Sequence, residues 1–206
     1  MVIIRLLQMA MKFRVFAVVV STTIAAGSVG VATAQQQRGE VYAAAAIGND
    51  GELHITTTNG REIVVAKSDD KRSVETQPAY FEKPVLSTNQ RAVGSRVFYP
   101  NCCTSYEIPL TLVIYADGRT HRFTGSDLPI FLWHFADDGA TVAFRQEPVH
   151  FGCSVHYELR EIRSERLIES ADVPEPCGQD PNPQPMKVPE WVSRLEQSER
   201  EASSGR

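Results

Sequence analysis

The sequence predicts an all-β fold of antiparallel hairpins followed by one short helix. Three observations support this prediction. Asn-Gly and Asp-Gly pairs recur along the chain, short segments between them alternate apolar and polar residues, and no long helical period interrupts the stretch from Val41 to Ser170. About eleven short strands can be counted in this way. The sequence therefore favours antiparallel hairpins in an open sheet stack or sandwich.

Each predicted hairpin turn pairs Asn or Asp with Gly, because these residues tolerate the positive φ of tight turns. The flanking segments alternate as strands do: Leu53, Ile55 and Thr57 fall on one face, against polar residues on the other. The four turns are Asp50-Gly51, Asn59-Gly60, Asp117-Gly118 and Asp138-Gly139.

The N-terminal segment has the composition of a secretory signal peptide. Residues 1–34 carry three basic residues and no acid, and the uncharged run from Val15 ends in Ala32-Thr33-Ala34, a small-residue cleavage pattern. Met11 begins a shorter version of the same pattern. An uncleaved membrane anchor is the alternative, since the run is long enough to span a bilayer. We expect an exported protein, periplasmic or extracellular, with no stable membrane insertion after cleavage.

The composition and the net charge of the chain narrow the classes of molecule that we expect it to bind. Charged residues are 22% and apolar residues 42% of the chain, which excludes a disordered protein. The formal net charge is −4, and cleavage after Ala34 changes it to −7 because only three basic residues are removed. A net acidic charge argues against electrostatic binding of nucleic acid, although it is an average over the chain and leaves local basic patches open. The expected partner is a protein, peptide or glycan ligand, and the expected state is a monomer.

Four cysteines follow the predicted cleavage site: Cys102, Cys103, Cys153 and Cys177. An even number in an exported protein predicts disulfides. A bridge between the neighbours Cys102 and Cys103 would be strained, so we expect each to pair with either Cys153 or Cys177. The sequence leaves both arrangements open.

The C-terminal part differs in composition from the β domain, which is assigned to residues 35–170. Six prolines follow Ser170 and predict a strap from residue 171 onward. A short helix is predicted at 189–198, because Pro189 suits a first turn and Trp191, Val192 and Leu195 share one side. The last residues, to Arg206, are predicted to be disordered.

One constellation could bind a metal. His150, Cys153 and His156 have a spacing that could offer two imidazoles and a thiolate to zinc or copper. In a continuous strand, however, the two histidines share one face and Cys153 lies on the other. The alternative is a core-facing half-cystine between two surface histidines, with no cofactor.

No residue is predicted to be catalytic. The carboxylate pairs Asp69-Asp70 and Asp137-Asp138 could serve a glycosidase-like reaction, but each lies in a turn and lacks an opposing carboxylate. Nucleophile-elbow, phosphate-loop, dinucleotide and zinc-helix motifs are missing from the sequence. The sequence thus favours a binding protein over an enzyme.

Aromatic residues concentrate at Phe131, Trp133 and Phe135. Alternation places all three on one face of a strand and His134 on the other. If exposed, they would form a binding patch for a peptide, a sugar or another subunit. A buried face is the commoner fate of such a pattern.

A weak repeat of 49 residues relates Leu86–Gly94 to Phe135–Ala143. The second copy, Phe135 to Phe144, resembles the core of blades in TolB-like, WD-type β-propellers, and Leu110 to Phe123 resembles the next hairpin. The resemblance covers about residues 80–170. It implies blade-like sheets and a binding platform.

Eleven strands supply fewer than three blades, so the chain alone cannot close a ring. It either assembles with itself or forms a partial propeller or open stack, with the helix and the Pro-rich strap covering an edge; the second arrangement is favoured. We therefore expect an exported binding module of the cell envelope or secreted space, stabilised by disulfides. The alternatives are a metal-binding periplasmic protein and a subunit of a self-assembled propeller.

Overall fold

Three antiparallel sheets and one helix stack in chain order in a computed structural model of the protein. The structure describes residues 39–67, 79–100, 106–125, 128–149, 154–174 and 187–204. We call the layers the N-terminal sheet, the middle sheet and the C-terminal sheet. Helix α1 forms the last layer.

The strands follow the predicted hairpin order. The N-terminal sheet contains β1 (Tyr42–Ile47), β2 (Leu53–Thr57) and β3 (Glu62–Val65). The middle sheet contains β4 (Tyr80–Phe81), β5 (Val85–Leu86), β6 (Ala92–Tyr99), β7 (Ile108–Ala116) and β8 (Arg119–Thr124), and both β4 and β5 pair with β6. The C-terminal sheet contains β9 (Ile130–Ala136), β10 (Thr141–Gln146), β11 (Ser154–Glu161) and β12 (Leu167–Pro174), and α1 spans Glu190–Ser204.

All four predicted turns connect paired strands. At Asn59-Gly60 and Asp117-Gly118 the glycine φ is 83° and 77°, in the region that favours glycine. Tight turns of this kind make each sheet a series of neighbouring antiparallel strands, which confirms the predicted all-β class with one C-terminal helix.

Strand β7 of the middle sheet is buried on both faces. On β7, Val113 and Tyr115 pack toward the N-terminal sheet, whereas Leu112 and Ile114 pack toward the C-terminal sheet. Successive residues of a strand point to opposite faces, so a continuous apolar run such as β7 serves two cores at once.

Helix α1 packs on the outer face of the C-terminal sheet, where Val192 and Leu195 contact Ala143, Val155 and Tyr157. The side of the helix that was predicted to be apolar therefore packs on the sheet. The helix covers a face of the C-terminal sheet, whereas the prediction placed it over an edge. A face offers far more apolar surface than an edge, which favours this position.

Two elements extend past the boundaries predicted for them. Strand β12 continues to Pro174, past the predicted domain end at 170, because its residues pair with β11 throughout. The helix continues beyond 198 to Ser204. Arg145 contacts Glu196 and Glu199 and holds this second half of the helix against the sheet. Most of the predicted strap, residues 175–186, lies outside the described residues.

The 49-residue repeat corresponds to two successive four-stranded units, β5–β8 and β9–β12. Ala92 begins β6 and Thr141 begins β10, 49 residues later. The sheets form an open stack, and the resemblance to propeller blades stays a prediction. Within the described ranges, no helix is both long and apolar enough to cross a membrane.

Candidate functional site

A groove of about 600 Å³ opens between strand β9 and the segment of the middle sheet that contains β5. We call it the edge groove. Its walls are residues 82–88 and Arg96 on one side and residues 131–135 on the other.

The C-terminal wall of the edge groove is the edge of a sheet. β9 is the last strand of its sheet and pairs only with β10 among the described strands. Five consecutive residues, 131–135, line the groove. Because alternate residues of a strand point to opposite faces, such an unbroken run means that the groove follows the strand edge.

The groove exists because the two sheets are offset. Trp133 of β9 packs over Gly94 of β6, and Phe144 of β10 lies 6.3 Å from Phe123 of β8, centroid to centroid. β9 and β10 thus lie over β6 to β8. Strand β5 pairs with β6 on the side away from β7, so it lies at the edge of the middle sheet.

Val85 is the apolar residue that this offset leaves uncovered. It is paired with Gly94 across the β5–β6 ladder, and directly opposed residues project from the same face of a sheet. Val85 therefore points toward the layer of Trp133, yet 49% of it is exposed. The floor of the groove is apolar beside the indole.

Arg96 joins the two walls. Its Nε and Nη2 donate to Glu82 Oε2 and Oε1 at 2.7 and 2.6 Å, in a bidentate pair. Its Nη1 donates to the carbonyl oxygen of Ile130 at 3.2 Å and to that of Phe131. The guanidinium therefore fixes the start of β9 against the middle sheet.

The groove carries a residual positive charge. Glu82 is neutralised by Arg96, whereas Lys83 beside it is exposed and has no acidic partner among the described residues. The whole chain is acidic, with a net charge of −4, so a positive groove differs from its surroundings. This favours an anionic group on a bound molecule.

The predicted aromatic patch is neither fully exposed nor fully buried. Trp133 and Phe135 pack against the core between the middle and C-terminal sheets and also line the edge groove, and each is only half-buried, like Phe131. Trp133 and Phe135 meet edge to face with centroids 5.2 Å apart. A rigid aromatic pair with one accessible side is suited to contact a ligand.

His134 lies on the opposite face of β9, as predicted. Burial, together with the nearby Arg194 guanidinium, lowers the pKa of His134, so the imidazole is neutral near pH 7. It adds no charge to the groove.

Of the three residues of the predicted metal site, only His156 lies within the described residues. Its Nδ1 lies 2.7 Å from Asp172 Oδ1, and its Nε2 lies 3.3 Å from Glu158 Oε1. Both ring nitrogens thus face carboxylates. His150 and Cys153 lie outside the described residues, and the described part of the chain contains no cluster of three ligands that could hold a metal ion. The zinc or copper site stays a prediction.

All four cysteines, Cys102, Cys103, Cys153 and Cys177, lie outside the described residues, so the disulfides also stay predictions.

Of the two carboxylate pairs, only Asp137-Asp138 is described. Both residues are exposed in a 3₁₀ turn, and Asp137 Oδ2 accepts a hydrogen bond from the Thr141 hydroxyl at 3.1 Å. They shape the β9–β10 turn, and they do not line the edge groove. Asp69-Asp70 lies outside the described residues.

Sequence reasoning missed the middle-sheet wall of the groove, which includes Glu82, Lys83, Val85 and Arg96, and it missed Gly94, on which Trp133 packs. One signal was present, because an isolated glycine within a strand pattern, as at Gly94, marks a close approach of another group. The partner of that glycine could not be read from the sequence.

No known family model matches the chain, and no curated protein is significantly similar to it.

Proposed function

We propose that this chain is an exported binding module and that its ligand site is the edge groove. The observation that carries the proposal is the accessible aromatic pair Trp133–Phe135, which faces the uncovered Val85 across a groove of about 600 Å³. Ligand pockets usually have this size and combine an apolar lining with a few polar groups.

The polar groups of the edge groove are few and held in place. Arg96 is fixed by Glu82 and by the main chain of β9, and Lys83 provides a cation that has no acidic partner among the described residues. A pre-organised wall of this kind lowers the cost of ordering on binding. These features support reversible binding of an apolar molecule that carries an anionic group.

Export is supported by the signal-like segment at residues 1–34. Disulfides between the four cysteines would suit an oxidising compartment. We expect protein recovered from the exported fraction to begin at Gln35 and to contain no alkylatable thiol, as read by intact mass before and after denaturing alkylation.

Tryptophan fluorescence tests the binding proposal. The chain has two tryptophans, Trp133 and Trp191. Trp191 Nε1 is buried with no hydrogen-bond partner among the described residues, so Trp191→Phe loses no hydrogen bond and leaves Trp133 as the only reporter. We expect panels of peptides and oligosaccharides to contain molecules that change Trp133 emission saturably.

Two matched variants locate the site. Val85→Glu places a carboxylate in the edge groove and should weaken binding at least about tenfold, whereas Val64→Glu on the outer face of β3 should not. The two valines are 49% and 54% exposed, so neither change alters a core. Equal effects of the two changes would contradict the proposal, as would a panel in which no molecule changes Trp133 emission.

A further inference from the structure

Resting on the proposed function, we infer that the ligand of the edge groove is an extended peptide that adds to β9 as a fifth strand of the C-terminal sheet. Its class is a peptide with alternating apolar side chains and a carboxylate at the end that reaches Lys83.

The first argument comes from the free edge of β9. An edge strand presents unpaired N–H and C=O groups, which are a template for a further strand. Outside its ladder with β10, the described hydrogen bonds of β9 are those that Arg96 donates to Ile130 and Phe131. The edge from Leu132 to Phe135 is therefore accessible along the groove.

The second argument comes from the offset of the sheets. Trp133 of β9 packs on Gly94 of β6, and the middle sheet continues past β6 to β5, where Val85 is 49% exposed. Packed sheets normally cover each other's inner faces. A strand added to β9 would lie over β5, and its inward side chains would bury Val85 beside Trp133. The position of the groove thus matches a peptide strand better than a compact ligand.

The third argument comes from charge. Arg96 already neutralises Glu82, and Lys83 has no acidic partner in the described part of the chain. Lys83 lies next to Pro84, where strand pairing is interrupted between β4 and β5. A carboxylate at one end of the peptide would meet this cation at the rim, which would set the direction of the added strand.

The size of the groove sets the length of the peptide. The lining run of β9, residues 131–135, has the length of an ordinary strand, about 17 Å at ~3.3 Å per residue. A peptide of about five to seven residues covers it.

The probe is a library of end-blocked peptides of about seven residues that alternate apolar and polar side chains. Each peptide carries one glutamate or one lysine at one end, and binding is read from Trp133 emission in the Trp191→Phe protein. We expect glutamate peptides to bind more tightly than lysine peptides. Lys83→Glu should reverse this preference, while Lys67→Glu, at a cation outside the groove, should not.

Backbone N-methylation of the best peptide tests strand addition directly. In an antiparallel or parallel ladder only alternate residues of the peptide direct their N–H toward β9. Methylation at those positions should weaken binding about tenfold, and methylation at the positions between them should have little effect. If the protein keeps the mass of a monomer plus peptide when the peptide binds, pairing of two protein copies through β9 is excluded.

The outcomes separate this inference from the proposed function. Uniform effects of N-methylation, with Val85→Glu still blocking binding, would overturn strand addition and leave the groove as the binding site. Binding of an oligosaccharide but of no peptide, again blocked by Val85→Glu, would do the same. Peptide binding that ignores Val85→Glu would overturn both.

Discussion

Trp133 packs directly against the backbone of Gly94, and a Cβ atom at Gly94 would lie 2.4 Å from Cη2 of the indole. The contact joins β9 of the C-terminal sheet to β6 of the middle sheet. It also sets the position of the indole at the rim of the edge groove. The absence of a side chain at one residue thus determines how closely two sheets approach and where the ligand-facing aromatic group lies.

Gly94→Ala should destabilise the protein. Its methyl group would meet Trp133 at 2.4 Å and 2.8 Å and Phe135 at 3.2 Å, so the indole must move. We expect a loss of about 1–3 kcal/mol in the free energy of unfolding, the usual cost of overpacking, together with a shift in Trp133 emission. Urea unfolding followed by fluorescence in the Trp191→Phe background measures both.

Gly39→Ala is the matched control, because its Cβ would lie at an ordinary 3.5 Å from the nearest atom, Asp117 Oδ1. It should change stability by less than about 0.5 kcal/mol. Similar losses for the two substitutions would show that the Gly94–Trp133 contact does not set the spacing of the sheets.

Arg96→Ala should loosen the two walls of the edge groove. Arg96 is 15% exposed and makes a bidentate pair with Glu82 in addition to its bonds to β9. We expect a loss of about 2 kcal/mol, since hydrogen bonds to charged groups contribute more than neutral ones. Arg96→Lys should recover only part of it, because an ammonium cannot make the same fork.

Thermal or urea unfolding measures this loss, with Arg194→Ala as the control. Arg194 pairs with Glu190 on the exposed side of α1, where the two side chains are 64% and 81% exposed. Such a pair contributes less than about 0.5 kcal/mol. If Arg96→Ala cost no more than Arg194→Ala, Arg96 would not join the walls.

The strands could be predicted from the sequence because their signals are local. Asn59-Gly60 and Asp117-Gly118 mark turns by their own backbone preferences, and the alternation of Leu53, Ile55 and Thr57 marks a buried face without knowledge of what covers it. Pairing of neighbouring strands then follows from the short turns.

The edge groove could not be predicted because it depends on how two sheets lie across each other. Val85 and Trp133 are in different sheets, and only the offset between β5 and β9 brings them to one groove. The end of α1 was missed for a similar reason. The apolar pattern stops near Leu195, whereas the later turns are held by Arg145, a residue of a distant strand.

Leu195→Ala should detach α1 from the C-terminal sheet. Leu195 is 0% exposed and packs with Val192 on Ala143, Val155 and Tyr157. Removing its side chain should cost about 2–4 kcal/mol by loss of burial and by the cavity that remains. Leu167→Ala on β12, where the leucine is 42% exposed, should cost less than about 1 kcal/mol. Comparable urea midpoints for the two variants would contradict the packing of the helix.

The pKa values of His54 and His121 should lie on opposite sides of the ordinary histidine pKa. Burial lowers the pKa of His121, although a hydrogen bond with Glu165 opposes this, and hydrogen bonds with Glu62 and Asp50 raise the pKa of His54. Proton NMR titration of the imidazole signals should place His54 above about 6.5 and His121 below it. Assignment by His54→Gln and His121→Gln identifies the two curves, and the reverse order would contradict the packing of β8.

The low pKa of His121 should make stability depend on pH. Well above the unfolded-state pKa of about 6.5, His121 is neutral in both the folded and the unfolded chain, so its lowered folded-state pKa does not affect stability there. Below that value the unfolded chain binds a proton that the folded chain resists, so folding weakens as the pH falls. The free energy of unfolding of the wild type, minus that of His121→Gln, should therefore decrease between about pH 7.5 and pH 5. Urea unfolding at several pH values measures the difference, and a constant difference would mean that protonated His121 is accommodated beside Glu165.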